Sequence, residues 1–326
     1  MEEFKNQDNV NKIPLIAIVG PTASGKTSLA IEIAKKYNAE IVSADSMQIY
    51  KGMDIATAKP TKEEMSQVKH HLVGYVDVTQ SYSVGAYVEK AKEVINEISG
   101  RGKLPLLVGG TGLYVNTLLN NIELPQISED IKIREELYKK LEDNGIESLL
   151  EELKTFDEES ANRLLENLNS KRVIRAIEIY RVTGVNMTTH LQNSKLKESA
   201  YNDVRIGLKC FDRENLYKRI NLRVDKMIEQ GLLLETEKVL STQIGQTSKM
   251  AIGYKELKPY FDNEMTLEEA VENLKRETRR YAKRQLTWFK KDDKINWIDI
   301  DIFTNLEEII KKSEEIINNK FNLEVV

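Results

Sequence analysis

The chain has little cysteine or histidine: its 326 residues hold one cysteine, Cys210, and three histidines, His70, His71 and His190. A single thiol excludes an internal disulfide, and these residues form no recognisable zinc spacing. Cys210 falls in an apolar, strand-like run, Val204 to Phe211, where a thiol reads as a small buried hydrophobe. No apolar run approaches the roughly 18 residues that a membrane-spanning helix needs. The first twelve residues lack the basic start and apolar stretch of a signal peptide, so the expected address is the cytoplasm. Internal repeats and low-complexity tracts are also missing. A net charge of −4 argues against a general nucleic-acid coat protein, but not against one local basic groove.

What is present is an ordinary globular composition, 40% hydrophobic and 31% charged, long enough for one large or two modest domains. The first 120 residues alternate strand and helix signals. Ile13 to Val19, Ala39 to Ala44, Leu72 to Val78 and Leu104 to Val108 read as strands. Thr27 to Tyr37 carries a helical stripe, and Ser83 can cap a helix that runs to about Ser99. Strands alternating with helices predict a doubly wound parallel sheet flanked by helices. From Glu129 to about Thr183 the sequence turns helical and highly charged, and Gly184 to Ala200 reads as polar loop. A strand returns at Val204, a long basic helix follows from about Leu267 to Lys290, and a last strand and helix span Ile295 to Asn318. The predicted fold is α/β: a core of 1–124 and 201–326 with an inserted all-helical domain, 125–200.

Gly20-Pro21-Thr22-Ala23-Ser24-Gly25-Lys26-Thr27 fits the phosphate-loop pattern G-x-x-x-x-G-K-[ST], between a predicted strand and a predicted helix. Glycines let backbone N–H groups turn toward one anion, and the helix N-terminus adds partial positive charge. Lys26 supplies a full charge, and the Thr27 hydroxyl can bind Mg²⁺. The motif alone does not separate kinases and NTPases from transferases that handle diphosphates. A typical NTPase has a strand ending in an acidic Mg²⁺ ligand. Here the candidate strand Leu104 to Val108 ends in Gly109-Gly110-Thr111-Gly112, with no carboxylate. The second strand instead ends in Ser43-Ala44-Asp45-Ser46. Strand C-termini line one crevice in such sheets, so Asp45 and Thr111 are expected beside the phosphate loop. By position alone, Asp45 can be a base, a metal ligand or a cap of the next turn.

Taken together, GPTASGKT at 20–27, DSMQIYKGMDIATAKP at 45–60, GGTGLY at 109–114, KRVIRAIEIYRVTG at 171–184, RINLRVDKMIEQGL at 219–232, AIGYKEL at 251–257 and RRYAKRQLTWF at 279–289 resemble the bacterial tRNA dimethylallyltransferase family. The resemblance runs through most of the chain. It implies transfer of a dimethylallyl group from dimethylallyl diphosphate to N6 of the adenine 3′ of the anticodon, position 37, with diphosphate leaving and Mg²⁺ assisting. By the same resemblance Asp45 is the general base and Thr111 sits beside the reacting adenine. The diphosphate cradle comprises Gly20, Thr22, Ala23, Ser24, Gly25, Lys26 and Thr27, joined by Arg223, and Thr27 is the metal ligand. Positions matching tRNA contacts are Ser46, Gln48, Arg134, Lys171, Arg172 and Arg175.

Near the C-terminus, Lys275, Arg276, Arg279, Arg280, Lys283 and Arg284 fall within ten residues, and Arg276, Arg280, Lys283 and Arg284 are spaced to share one helical face. With the resemblance, Arg280, Lys283, Arg284 and the adjoining Gln285 are expected to meet the tRNA. Three departures from the family pattern, Ala56 for glycine, Met250 for glutamine and no proline before Lys171-Arg172, lie outside the catalytic set. The protein is expected to be a monomer with tRNA as its macromolecular partner and no membrane. The rival readings are a free-nucleotide adenylate isopentenyltransferase and a P-loop kinase or NTPase.

Overall fold

Alternation within single strands builds the two faces of the sheet. In β1 (Ile13–Val19), Leu15, Ala17 and Val19 join one apolar cluster while Ile16 and Ile18 join another, as expected when successive side chains point to opposite faces. All five are fully buried, so both faces of the sheet are covered. The structure, a computed structural model, describes residues 12–123, 125, 131–166, 168–195, 198–242, 244–245 and 247–321.

After β1 come α1 (Lys26–Lys36), β2 (Ala39–Ser43), α2 (Lys62–Gln67), β3 (His70–His71), α3 (Val84–Gly100), β4 (Leu104–Gly109) and α4 (Gly112–Leu119). Next are α5 (Ile131–Lys154), α6 (Glu158–Leu165), α7 (Ser170–Thr183) and α8 (Met187–Lys195). The chain then returns through β5 (Tyr201–Lys209), α9 (Arg213–Glu229), α10 (Leu232–Leu240), α11 (Tyr254–Phe261), α12 (Leu267–Phe289), β6 (Ile295–Asp299) and α13 (Leu306–Phe321). The strands form a six-stranded parallel sheet in the order β3-β2-β4-β1-β5-β6. Tyr87, Ala91, Ile95 and Ile98 of α3 and Val115 and Leu118 of α4 cover one face; Leu29 and Ile33 of α1 and Ile310 and Ile317 of α13 cover the other. Helix starts follow the side chains: Ser83 accepts the Ala86 N–H at 3.1 Å, and Thr266 and Glu269 form a capping box at α12.

Three expectations are corrected. The stretch Leu72 to Val78 is not a strand. Only His70 and His71 pair with β2, and Val76 makes one isolated bridge to Tyr50. Leu72 (φ 61°) and Gly74 (φ 59°) take left-handed backbone, which breaks extension. Gly184 to Ala200 is not loop throughout, because α8 occupies Met187–Lys195. That helix has no apolar stripe. The Asp157 carboxylate supports its first turn instead, accepting the Thr188 N–H at 3.0 Å and the Thr188 hydroxyl at 2.5 Å. Cys210 is half-buried rather than fully enclosed.

The chain divides into two compact units, 1–119 with 200–326, and 120–199. The second closes its own core, with Leu137, Leu149 and Leu153 of α5 against Val173 and Ile177 of α7. Gly145, with φ 76° and ψ 175°, breaks α5 into two helical pieces. No helix among the described residues is long and apolar enough to cross a membrane.

Candidate active site

The phosphate loop leaves β1 at a point where only glycine fits. Gly20 has φ 147°, and a Cβ there would lie 2.4 Å from the Leu208 carbonyl oxygen of β5. Gly25 (φ 85°) is left-handed and launches α1. The first-turn N–H groups of α1 lack helical acceptors, which makes them donors to an anion. Lys26 Nζ donates to the Pro21 carbonyl at 2.7 Å. Burial, and then the Arg223 guanidinium, push the Lys26 ammonium down to about 7, against an upward pull from Asp45. The Ser24 hydroxyl is buried, 2% exposed, with no hydrogen-bond partner among the described residues. Such an orphan suits an anion oxygen.

Close approach of two strand ends assembles the neighbouring pair. A Cβ on Gly109 would lie 2.1 Å from the Ala44 carbonyl oxygen, so glycine lets the end of β4 press against the end of β2. The Thr111 N–H then donates to Ala44 O at 3.1 Å. Thr111 Oγ1 accepts the Ser46 N–H at 2.9 Å and donates to Ser46 Oγ at 3.2 Å. Asp45 Oδ1 accepts from the N–H groups of Met47 (2.9 Å) and Gln48 (3.3 Å). One carboxylate oxygen therefore caps the turn. The other, Oδ2, has no protein hydrogen-bond partner among the described residues and stays available for chemistry. Gln48 itself ties down the next loop, donating from Nε2 to the carbonyls of Thr57 and Ala58.

These pieces line a cavity of about 870 Å³. Thr22, Ala23, Ser24, Gly25, Lys26 and Thr27 form one part of it, Asp45, Ser46 and Gln48 another, and Arg223 a third. Gly20 and Thr111 stand just behind, shaping the loop and holding Ser46. Ile55, Ala56, Met227, Leu232, Ile252 and Leu274 also line it and pack into one hydrophobic cluster, its apolar wall. Two of the departures, Ala56 and Met250, line the cavity as well, so they bear on it and not only on loop shape. Sequence reasoning passed over Tyr281. It lines the cavity, its hydroxyl faces Thr111 and Gln285, and burial, followed by the Asp45 charge, raises its ionisation so that it stays a neutral donor.

Gln285 needs correction. It is 5% exposed, and both ends of its amide are engaged: Oε1 accepts the Thr22 N–H at 2.9 Å and Nε2 donates to Gly110 O at 2.9 Å. It ties the phosphate loop to the glycine turn at the cavity rather than standing on the exposed basic face. The basic face of α12 is otherwise real. Arg276, Arg280, Lys283 and Arg284 are exposed, while Lys275 turns to Asp225 and Arg279 to Asn221. Arg280 pairs with Glu277 at 2.5 Å and Arg284 lies over the Tyr281 ring. In the second unit, Arg134 and Arg175 both bind the fully buried Glu178, and Lys171 and Arg172 are exposed at the start of α7.

The family model described as IPP transferase matches residues 48–292. The chain belongs to the IPP transferase family. A tRNA dimethylallyltransferase of Clostridioides difficile is 48% identical over 302 residues, 92% of this chain and 96% of that protein. That of Bacillus subtilis is 46% identical over 307 residues, 94% and 96%. Among solved structures, the full-length tRNA isopentenylpyrophosphate transferase of Bacillus halodurans matches with a TM-score of 0.71 and 44% identity, over 95% of this chain and 97% of that one. A eukaryotic dimethylallyltransferase acting on tRNA matches with a TM-score of 0.80 at 28% identity, over 96% of this chain and 82% of that one.

In this IPP transferase chain the donor set fits a magnesium ion held mainly by its substrate. Among the described residues no cluster of three or more His, Cys, Asp or Glu could cage a metal. Mg²⁺ commonly keeps waters and binds through one or two protein groups plus phosphate oxygens. Thr27 at the start of α1 can supply one such protein group in this cavity.

Proposed function

We propose that the protein transfers the dimethylallyl group of dimethylallyl diphosphate to N6 of adenine 37 in tRNA and releases diphosphate, acting as a cytoplasmic monomer. One observation carries this reading: a single cavity is lined by a cationic phosphate loop with Arg223, by a cluster of apolar residues and by the Asp45 carboxylate. An allylic diphosphate has that polarity. The diphosphate rests against the N–H groups of the phosphate loop, with Lys26 and Arg223 opposing its charge. The N6–C1 bond forms as the C1–O bond breaks. The bonding pair leaves with the diphosphate, and Asp45 Oδ2 takes the proton that N6 sheds. An adenine amine is a weak nucleophile, because its lone pair is delocalised into the ring, so removing that proton matters. Thr111 holds Ser46 in place at the cavity, and the neutral Tyr281 hydroxyl is a donor in the same lining. When bound, Mg²⁺ supplies further neutralisation of the departing diphosphate, with Thr27 as its protein ligand.

The acceptor base must leave its stack to enter a cavity. In a single-stranded loop such flipping costs about a few kcal/mol or less. The exposed basic face of α12, with Ser46 and Gln48 at the cavity and Arg134, Lys171, Arg172 and Arg175 on the second unit, supports recognition of the surrounding anticodon stem-loop. A kinase or NTPase reading is weaker, because β4 ends in Gly109-Gly110-Thr111-Gly112 without a carboxylate. Mass spectrometry of unmodified tRNA after incubation with the protein, Mg²⁺ and dimethylallyl diphosphate tests the proposal. A gain of one dimethylallyl group on the adenine 3′ of the anticodon is expected. No gain, together with turnover of a nucleoside triphosphate, overturns it.

A further inference from the structure

The AIGYK stretch at 251–255 and the carboxylate of Glu235 play no part in the reaction described above, yet they converge on one wall of the cavity. Glu235 stands on α10 and is half-buried. Its Oε2 accepts the N–H groups of Asp54 (2.8 Å) and Ile55 (2.7 Å), and its Oε1 accepts those of Ala56 (2.9 Å) and the Tyr254 hydroxyl (2.9 Å). Three consecutive backbone N–H groups thus end on a single carboxylate. This segment has no strand to pair with, so Glu235 does what a sheet neighbour would otherwise do. Hydrogen bonds to an ionised acceptor are stronger than neutral ones, which makes the hold stiff.

Three other contacts reinforce it. Gln48 Nε2 grips the carbonyls of Thr57 (3.2 Å) and Ala58 (3.1 Å), and Lys59 Nζ donates to Tyr50 O at 2.6 Å. Beside this segment, Gly253 (φ 123°) brings its backbone against Ala56, and a Cβ at 253 would sit 3.0 Å from the Ala56 Cβ. The glycine and tyrosine of AIGYK therefore both bear on the segment that Glu235 holds. The front of that segment is Ile55 and Ala56, which line the cavity beside Met227, Leu232 and Ile252.

We propose that Glu235, backed by Tyr254, is a positioning residue that fixes the Ile55–Ala56 wall and thereby limits the length of the hydrocarbon on the donor. The inference rests on the reading of dimethylallyl diphosphate as donor. Apolar pockets separate substrates differing by one methylene by only about 10- to 200-fold, and a wall that yields loses even that. A pinned wall keeps the pocket short, whereas a released wall accommodates a longer chain and holds the short one less well.

Glu235→Gln tests this directly. The amide keeps one acceptor and adds two donors facing N–H groups, so the grip on residues 54–56 is lost. The expected result is a rise of about tenfold in the KM for dimethylallyl diphosphate, with kcat and the KM for tRNA within about threefold of wild type. The kcat/KM preference for dimethylallyl over geranyl diphosphate should fall by a similar factor. Tyr254→Phe removes one of the four donors and should shift the same ratio in the same direction by less. It also decides the matter should Glu235→Gln fail to fold. A purely structural role would lower the melting temperature and leave the donor ratio alone, so an unchanged ratio in the folded variants overturns the inference. If wild-type protein itself does not prenylate tRNA from dimethylallyl diphosphate, the functional proposal fails first.

Discussion

Lys26 gives the site its pH signature. Burial and the Arg223 charge hold its ammonium at about 7, well below the ordinary lysine value. A bound diphosphate favours the charged form and raises that pKa, so binding above pH 7 must draw in a proton. Donor affinity is therefore fully present below about pH 7. Calorimetry from pH 6.5 to 9, in buffers of different ionisation enthalpy, should show Kd weakening by about tenfold per pH unit above that point, with proton uptake on binding. Asp45 invites a cleaner substitution than alanine. In Asp45→Asn the amide oxygen can still cap the Met47 and Gln48 N–H groups, so only the proton acceptor disappears. Single-turnover transfer should slow by about 10²- to 10⁴-fold while tRNA affinity, read by filter binding, stays within about threefold.

At the scale of elements, the phosphate loop, the ends of β2 and β4 and the helices α9 and α12 contribute to the cavity. A Cβ on Gly110 would lie 2.2 Å from Gln285 Nε2, the movable end of a side chain. Gly110→Ala should therefore fold, but it should displace Gln285 and free the Thr22 N–H that Gln285 steadies. Diphosphate affinity measured by calorimetry should drop by about tenfold, more than thermal stability changes. The exposed face of α12 is tested by salt: replacing Arg280 and Lys283 with alanine should weaken tRNA binding and reduce the slope of log K against log salt by roughly 1 per charge. Much of this was legible in the sequence because it is local. The phosphate loop, the caps and the basic face are patterns within a few residues. The Thr22–Gln285–Gly110 tie joins residues 263 positions apart, so no local pattern marks it. The same holds for α8, whose polar sequence folds because Asp157 from another helix supports it, and for Leu72 to Val78, whose apolar residues conceal two left-handed positions. Only the family resemblance points Arg223 to the diphosphate; its position in α9 carries no signal of its own.

Across the whole molecule, each unit closes its own core, and the residues lining the cavity all belong to the first. Leu149, fully buried in the second unit, can therefore be used to separate stability from donor binding. Leu149→Ala should cost about 2–5 kcal/mol in the unfolding of residues 120–199, followed by urea denaturation, and leave diphosphate affinity within about twofold.

The strand order carries a consequence for the order of assembly on the ribosome. β1, the strand that ends in the phosphate loop, is flanked by β4 on one side and β5 on the other, and Ile13 waits for Tyr201 to be synthesised before that second edge can close. The helical residues 120–199 emerge in one contiguous stretch and can fold while it waits. Through that interval the nascent chain carries an apolar, open-edged strand of the kind that recruits chaperones, so the inserted unit lengthens the most vulnerable period in the making of the catalytic core.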